Sequence, residues 1–216
     1  MSAALDAGLV ADRLAATWAR RADNLAHRRD VLIGVNEFPN LAERQVVRRD
    51  RPSRPGGGLP RHRYAEAFES LRDRADAHAE AHDGRRPTVF LATLGPLAAY
   101  AARAAFAGNL FGAGGIATKL SGSAGLTSTV PGSGDDVAQT VAAFSASGAT
   151  VACLCSNDKG YAEGASRLAS ALRAAGATRV WLAGQPGDYP GVDSFVYTGC
   201  DAIDVLTTTA RDLAVA

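Results

Sequence analysis

Aromatic side chains are scarce in this chain, at 6% of residues, and there is a single methionine. A core with so few rings must rely on close packing of alanine, valine and leucine between helices and a sheet. Three cysteines, an odd number, do not make a disulfide framework. An excess of one charge sign is missing too. The formal net charge is +1, so no nucleic-acid partner is expected, since that surface usually needs a concentrated basic face. No apolar run reaches the ~18 residues of a membrane span, so no membrane partner is expected either. The N-terminal stretch shows no charged-then-apolar signal pattern, and the expected location is cytoplasmic. What is present, 47% hydrophobic and 21% charged residues over 216 positions, is the balance of a globular protein able to bury a core.

The charge is unevenly placed. Residues 1–86 carry most of the arginines, whereas 87–216 are mostly alanine, glycine, valine and threonine. Arg51-Pro52-Ser53-Arg54-Pro55-Gly56-Gly57-Gly58-Leu59-Pro60 reads as a linker, because proline and glycine interrupt both helix and strand. Before it, Ala11 to Arg29 has helical spacing of Leu14, Trp18 and Leu25, and Val31 to Asn36 is a strand-like apolar run. After it, Tyr64, Phe68, Leu71, Ala75 and Ala79 recur at helical spacing, predicting an amphipathic helix that ends near Gly84.

From Pro87 onward, strands and helices alternate. Strand-like runs are Thr88–Leu94, Ala113–Thr118, Thr150–Cys155 and Arg179–Ala183, with a fifth at Phe195–Tyr197 or Ala202–Leu206. Between them, Leu97–Ala107, Asp135–Ser147 and Tyr161–Ala175 read as helices, the second capped by Ser133 or Asp135 and the third closed by Gly176. Continuously apolar strands alternating with helices imply a doubly wound α/β domain with a parallel five-stranded sheet. Right-handed crossovers favour the flavodoxin-like order 2-1-3-4-5. Ligands of such sheets bind beyond the carboxyl ends of the strands, here Gly95–Leu97, Ser156–Lys159 and Gly184–Pro190.

Candidate chemistry at that rim is thin. Gly112-Ala113-Gly114-Gly115 and Pro131-Gly132-Ser133-Gly134 look like phosphate cradles, but a dinucleotide fingerprint follows the first strand and opens a helix, and only Gly95 stands there. Those runs read as ordinary turns. His78 and His82 are one helical turn apart, yet Ala79 occupies the position of the metalloprotease glutamate, so a solvated helix face is expected. Cys153 and Cys155 share one face of a strand and read as small core hydrophobes. Ser156, Asp158, Lys159 and Gly184 are the candidate ligand contacts, although capping of the next helix by Ser156, Asn157 or Asp158 is the favoured reading of that loop. No histidine falls in this half of the chain, so no serine–histidine–acid set is available and no catalytic residue is assigned.

Leu91-Ala92-Thr93-Leu94-Gly95-Pro96-Leu97-Ala98-Ala99-Tyr100, continuing to Phe111, resembles the first strand, turn and helix of a cobalamin-binding domain, in particular that at the C-terminus of methylmalonyl-CoA mutase. Thr150 to Tyr161, with Ala183-Gly184-Gln185-Pro186, is similar to later strands of the mutase small subunit. Val31 to Pro39 resembles the passage where the mutase barrel ends and its linker begins. The resemblance implies three parts: a barrel remnant at 1–50, a linker and amphipathic helix at 51–86, and a cobalamin-binding-like domain at 87–216.

Cobalamin-binding members carry Asp-x-His-x-x-Gly after the first strand, where the histidine ligates cobalt and the aspartate orients it. Laid on Gly95, that motif falls on Leu97, Ala99 and Ala102, and the family's later serine falls near Leu154. Leucine and alanine offer no lone pair, so the degenerate positions imply that this chain binds no cofactor and no metal. Leu97, Ala98 and Ala99 would instead fill the cavity meant for the cofactor tail. The pattern resembles the non-catalytic small subunit of a heterodimeric mutase, with adenosylcobalamin in the large catalytic subunit that isomerises methylmalonyl-CoA and succinyl-CoA. A fragment, a shortened gene product and a split subunit are all compatible with a chain lacking the barrel. Interface residues are then expected at Trp18, Phe38, Tyr64, Phe68 and Leu71, because an amphipathic helix without its barrel leaves an apolar stripe open. The alternative is a small-molecule-binding or sensor domain of flavodoxin-like fold.

Overall fold

The computed structural model describes residues 8–43, 61–121 and 134–215. Two helices precede the sheet, α1 (Leu9–Ala26) and α2 (Glu66–Ala81). Strands and helices then alternate: β1 (Thr88–Thr93), α3 (Leu97–Ala113), β2 (Ala117–Leu120), α4 (Gly134–Ser147), β3 (Val151–Cys155), α5 (Asp158–Ala174), β4 (Arg179–Ala183), β5 (Ser194–Val196) and α6 (Ala202–Asp212). All pairings are parallel and the order is β2-β1-β3-β4-β5, the flavodoxin-like order expected from the strand pattern. The linker expected at Arg51 to Pro60 and the glycine run from Pro131 to Ser133 lie outside the described residues. Among the described residues no helix is long and apolar enough to cross a membrane.

The central strands are buried along nearly their whole length, and alternate side chains feed two separate cores. On one face Val89, Leu91, Cys153, Cys155 and Trp181 pack with Leu110 and Phe111 of α3, Val205 and Leu206 of α6, and Phe68 and Leu71 of α2. On the other, Phe90, Ala152, Leu154, Val180 and Leu182 meet Phe144 of α4 and Leu168 and Leu172 of α5. Cys153, Cys155 and Cys200 are buried free thiols. Burial, reinforced by Cys155 beside it, pushes the Cys153 thiol well above its ordinary range, which makes it an inert packing group.

Several expectations are corrected. Val31 to Asn36 is not a strand. Gly34 has φ +79°, and only an isolated bridge joins Ile33 to Glu37, because Asn36 turns inward and binds its own loop. The helix expected to stop at Ala107 runs on to Ala113, which moves β2 to Ala117–Leu120. Of the two candidates for a fifth strand, the segment around Phe195 pairs with β4, while Ala202 onward is helical behind its Asp201 cap. The stripe on α2 is closed: Phe68 is 1% exposed and Leu71 4%. Those two are therefore packed inside this chain and are not available to a partner.

Candidate functional site

The carboxyl rim is built where β1, β3 and β4 end. Leu94 donates its N–H to the Cys155 carbonyl at 3.0 Å. Ser156 Oγ donates back to the Leu94 carbonyl at 2.8 Å, which stitches the two strand ends together. Ser156 is fully buried, so its hydroxyl is a structural tie. Behind it, the Tyr161 hydroxyl accepts from Ser156 N–H at 2.9 Å and has the Ala183 carbonyl at 2.7 Å as its nearer acceptor. Burial pushes this phenol far above its ordinary value and keeps it neutral. Asn157 caps α5 by accepting from Gly160 N–H at 2.8 Å, which is the capping role favoured for this loop.

Arg103 reaches across the rim from α3. Its Nη2 donates to Asp158 Oδ1 at 2.6 Å, and its guanidinium lies 5.1 Å above the Tyr161 ring. Gly184 sits under it; a Cβ there would come 3.0 Å from Arg103 Nη1. Thus of the four candidate contacts, Ser156 is internal, Gly184 is covered by Arg103, Asp158 is exposed but paired with Arg103, and Lys159 projects with its side chain 83% exposed, 3.9 Å from Glu163. A cavity of about 220 Å³ opens between Gly95, Pro96 and Ala99 on one side and Ser156, Lys159 and Glu163 on the other. That is below the ~300–1,000 Å³ of small-molecule sites.

The degenerate motif positions occupy the first turns of α3. Leu97 is 66% exposed, and Ala102 is exposed too. Of the apolar surface expected to plug a tail cavity, Leu97 and Ala98 are exposed and Ala99 is half-buried at the edge of the rim cavity, because α3 starts at Leu97 directly after the extended Pro96 and its fully buried face begins at Ala104. Leu154 lies buried in mid-strand, and the serine of this strand end is Ser156. All four histidines are elsewhere. His27 closes α1, His62 precedes α2, and His78 and His82 stack on each other at 4.0 Å along α2. His78 and His82 border a cleft with Thr88 and Thr150, at the amino end of the strands. The residues at the rim do not fit a corrinoid held through an axial imidazole. Among the described residues no group of three or more metal-ligating side chains forms.

Sequence reasoning missed Arg103 and Tyr161, the two side chains that organise this rim. A signal existed: an arginine inside an alanine-rich helix, one residue beyond the degenerate motif, had no helical neighbour of opposite charge.

The fold defines a class: a doubly wound, flavodoxin-like α/β domain consistent with a cobalamin-binding-like domain. No family model matches the chain. It is 54% identical, over 99% of its own length, to the methylmalonyl-CoA mutase small subunit of Streptomyces virginiae. It is 35% identical over its whole length to that of Propionibacterium freudenreichii subsp. shermanii, and 41% identical over 81% of its length to a probable small subunit of Mycobacterium tuberculosis. The chain belongs to the methylmalonyl-CoA mutase small subunits over the portion it spans, which is 33% of the Streptomyces relative and 26% of the mycobacterial one.

Proposed function

We propose that this chain is a non-catalytic part of an adenosylcobalamin-dependent methylmalonyl-CoA mutase, acting in the cytoplasm. It supports a large catalytic subunit that holds the cofactor and interconverts methylmalonyl-CoA and succinyl-CoA. One observation carries the reading. The turn and helix that present the ligating histidine in cobalamin-binding relatives are folded here with Leu97, Ala99 and Ala102 in place of the motif. Retention of the sheet edge without its chemistry is what a supporting subunit requires, since its contribution is surface and shape. Trp18, Phe38 and Tyr64 remain the candidate interface residues for that partner, Phe38 being the most open at 72% exposed.

Two measurements test this. Titration of the chain with adenosylcobalamin should leave the cofactor spectrum unchanged, and a base-off spectrum would overturn the reading. The chain should also co-elute with a large mutase subunit in size-exclusion chromatography, and failure to do so would sink the supporting role. A sensor domain is disfavoured by the small rim cavity. Thermal shifts with coenzyme A or flavin should be absent, because a ligand that binds the native state raises its melting temperature.

A further inference from the structure

At the amino end of the sheet, opposite the rim, a cleft of about 560 Å³ opens between the last turn of α2, the entry to β1 and the turn from α4 into β3. His78 lines it from the last turn of α2, and His82 from the residue that closes that helix. Their rings stack at 4.0 Å with 16° between the planes. Two imidazoles this close repel each other once both are protonated. Neutral, they offer two lone pairs on one face of a helix, and histidines one helical turn apart can share a metal ion in this way. The missing metalloprotease glutamate excludes that enzyme's chemistry and leaves chelation untouched.

The surroundings set the state of both rings. His82 Nδ1 lies 2.7 Å from the His78 carbonyl, and a carbonyl only accepts, so Nδ1 carries the hydrogen and Nε2 keeps its lone pair. A backbone carbonyl on one ring nitrogen commonly orients a histidine whose other nitrogen binds metal. Burial, with His82 beside it, holds His78 below the ordinary imidazole range, which leaves it neutral at pH 7. The backbone beneath is fixed too, since Gly84, at φ +79°, donates its N–H to the Ala79 carbonyl at 2.8 Å. The cations that border the cleft are engaged elsewhere. Arg86 pairs with Asp76 at 2.6 Å, and Lys119 Nζ donates to the Ser147 carbonyl at 3.4 Å. Arg85 donates to the His82 carbonyl at 3.2 Å and faces Asp83 at 3.7 Å. The carboxyl ends of α2, α4 and α6 also meet at this cleft, each carrying roughly half a negative charge, which favours a cation.

We propose that His78 and His82 form a two-imidazole site for a divalent transition ion of the zinc, nickel or copper class, with water from the cleft in the remaining positions. Imidazole suits these ions, whereas magnesium and calcium demand oxygen ligands. The stacked rings already stand side by side, so a small rotation of each brings His82 Nε2 and a ring nitrogen of His78 onto one ion. Binding clips the last turn of α2 beside Arg86 and Pro87, where the chain enters β1. The site is independent of the supporting-subunit reading, because neither imidazole faces the carboxyl rim.

The test titrates the full 216-residue chain, stripped of metal, with Cu²⁺ and with Zn²⁺. Calorimetry should give one ion per chain, and the Cu²⁺ electron paramagnetic resonance spectrum should show two nitrogen donors. Zn²⁺ should raise the melting temperature, as any ligand of the native state does, and Mg²⁺ should leave it level. His78→Ala and His82→Ala each forfeit the chelate and should weaken binding by about 100-fold. His27→Ala and His62→Ala, which alter imidazoles elsewhere, should bind like the unaltered chain. Affinity should fall away below about pH 6, where protons compete for both rings. A spectrum with a single nitrogen donor, unchanged affinity in both His78→Ala and His82→Ala, or a dissociation constant weaker than about 1 mM would overturn the proposal. The spectrum is read on the unaltered chain, so it decides the matter even if a variant folds poorly.

Discussion

Tyr161 shows how a single side chain can hold a strand end in place. Its hydroxyl has three backbone partners within 3.1 Å, in β3, the turn after it, and β4. Replacement by phenylalanine keeps the ring volume and strands the Ser156 N–H and the Ala183 carbonyl in a buried site. Leaving such groups unpaired costs about 1–3 kcal/mol. Tyr161→Phe should therefore lower the urea midpoint, with a loss of about 1–3 kcal/mol in unfolding free energy, without altering the far-UV circular dichroism. An unchanged midpoint would mean that water or a neighbour satisfies these groups. That this loop caps the next helix was legible in the sequence, because a polar residue before a helical run satisfies local N–H groups, but the choice of Asn157 over Ser156 and Asp158 was not. The Tyr161 network was not, since it joins residues brought together only by the crossover between β3 and β4. For the same reason Ser156 read as a ligand contact and proved to be a tie.

At the level of elements, what could be read was whatever periodicity controls. Strands β1, β3 and β4, the parallel order and the helices between follow from continuous apolar runs alternating with amphipathic ones, whereas β2, a short half-exposed Ala117–Leu120, lay four residues beyond its expected start. What escaped was set by packing between distant segments. Val31 to Asn36 has a strand's composition, yet Asn36 and Arg72 make it a pinned loop. The run Gly112 to Gly115 read as a plain turn, but Gly112 and Ala113 are the last residues of α3, and Gly115 has a second reason to be glycine. Gly115 has φ +79°, and a Cβ there would lie 2.8 Å from Ala75 Cβ of α2 and 3.3 Å from the Arg72 α carbon. Gly115→Ala thus combines backbone strain with overpacking, each worth about 1–3 kcal/mol. A loss of about 2–6 kcal/mol in chemical denaturation is expected on that basis. Gly148→Ala shares the positive φ but has nothing within 4 Å, so its loss should be smaller. Equal losses would show that backbone strain alone matters and that α2 does not press on the turn.

For the whole molecule the question is where the folding unit begins. By composition the α/β domain starts at about residue 87, with a charged helix before it. Yet Phe68, Leu71 and Ala75 of α2 are 1%, 4% and 1% exposed, and the first two belong to the same core cluster as Val89, Leu91 and Trp181. Arg86 and Asp76 add an ion pair at 2.6 Å between α2 and the approach to β1. Removing residues 1–86 takes Phe68 and Leu71 out of the core that α3 and α6 share with this face of the sheet. Fully burying a leucine or phenylalanine is worth about 1.5–3 kcal/mol. Losing Phe68 and Leu71 together thus approaches the ~5–15 kcal/mol that holds a typical domain folded. A chain of residues 87–216 should bind 8-anilinonaphthalene sulfonate and lose its near-ultraviolet circular dichroism, while one starting at residue 61 keeps α2 and a cooperative transition. Cooperative unfolding of the shorter chain at an unshifted midpoint would place α2 outside the folding unit and return its apolar stripe to the list of candidate partner surfaces. If the shorter chain fails as expected, α2 is an integral layer of this domain, and Phe68 and Leu71 hold the fold together from within it.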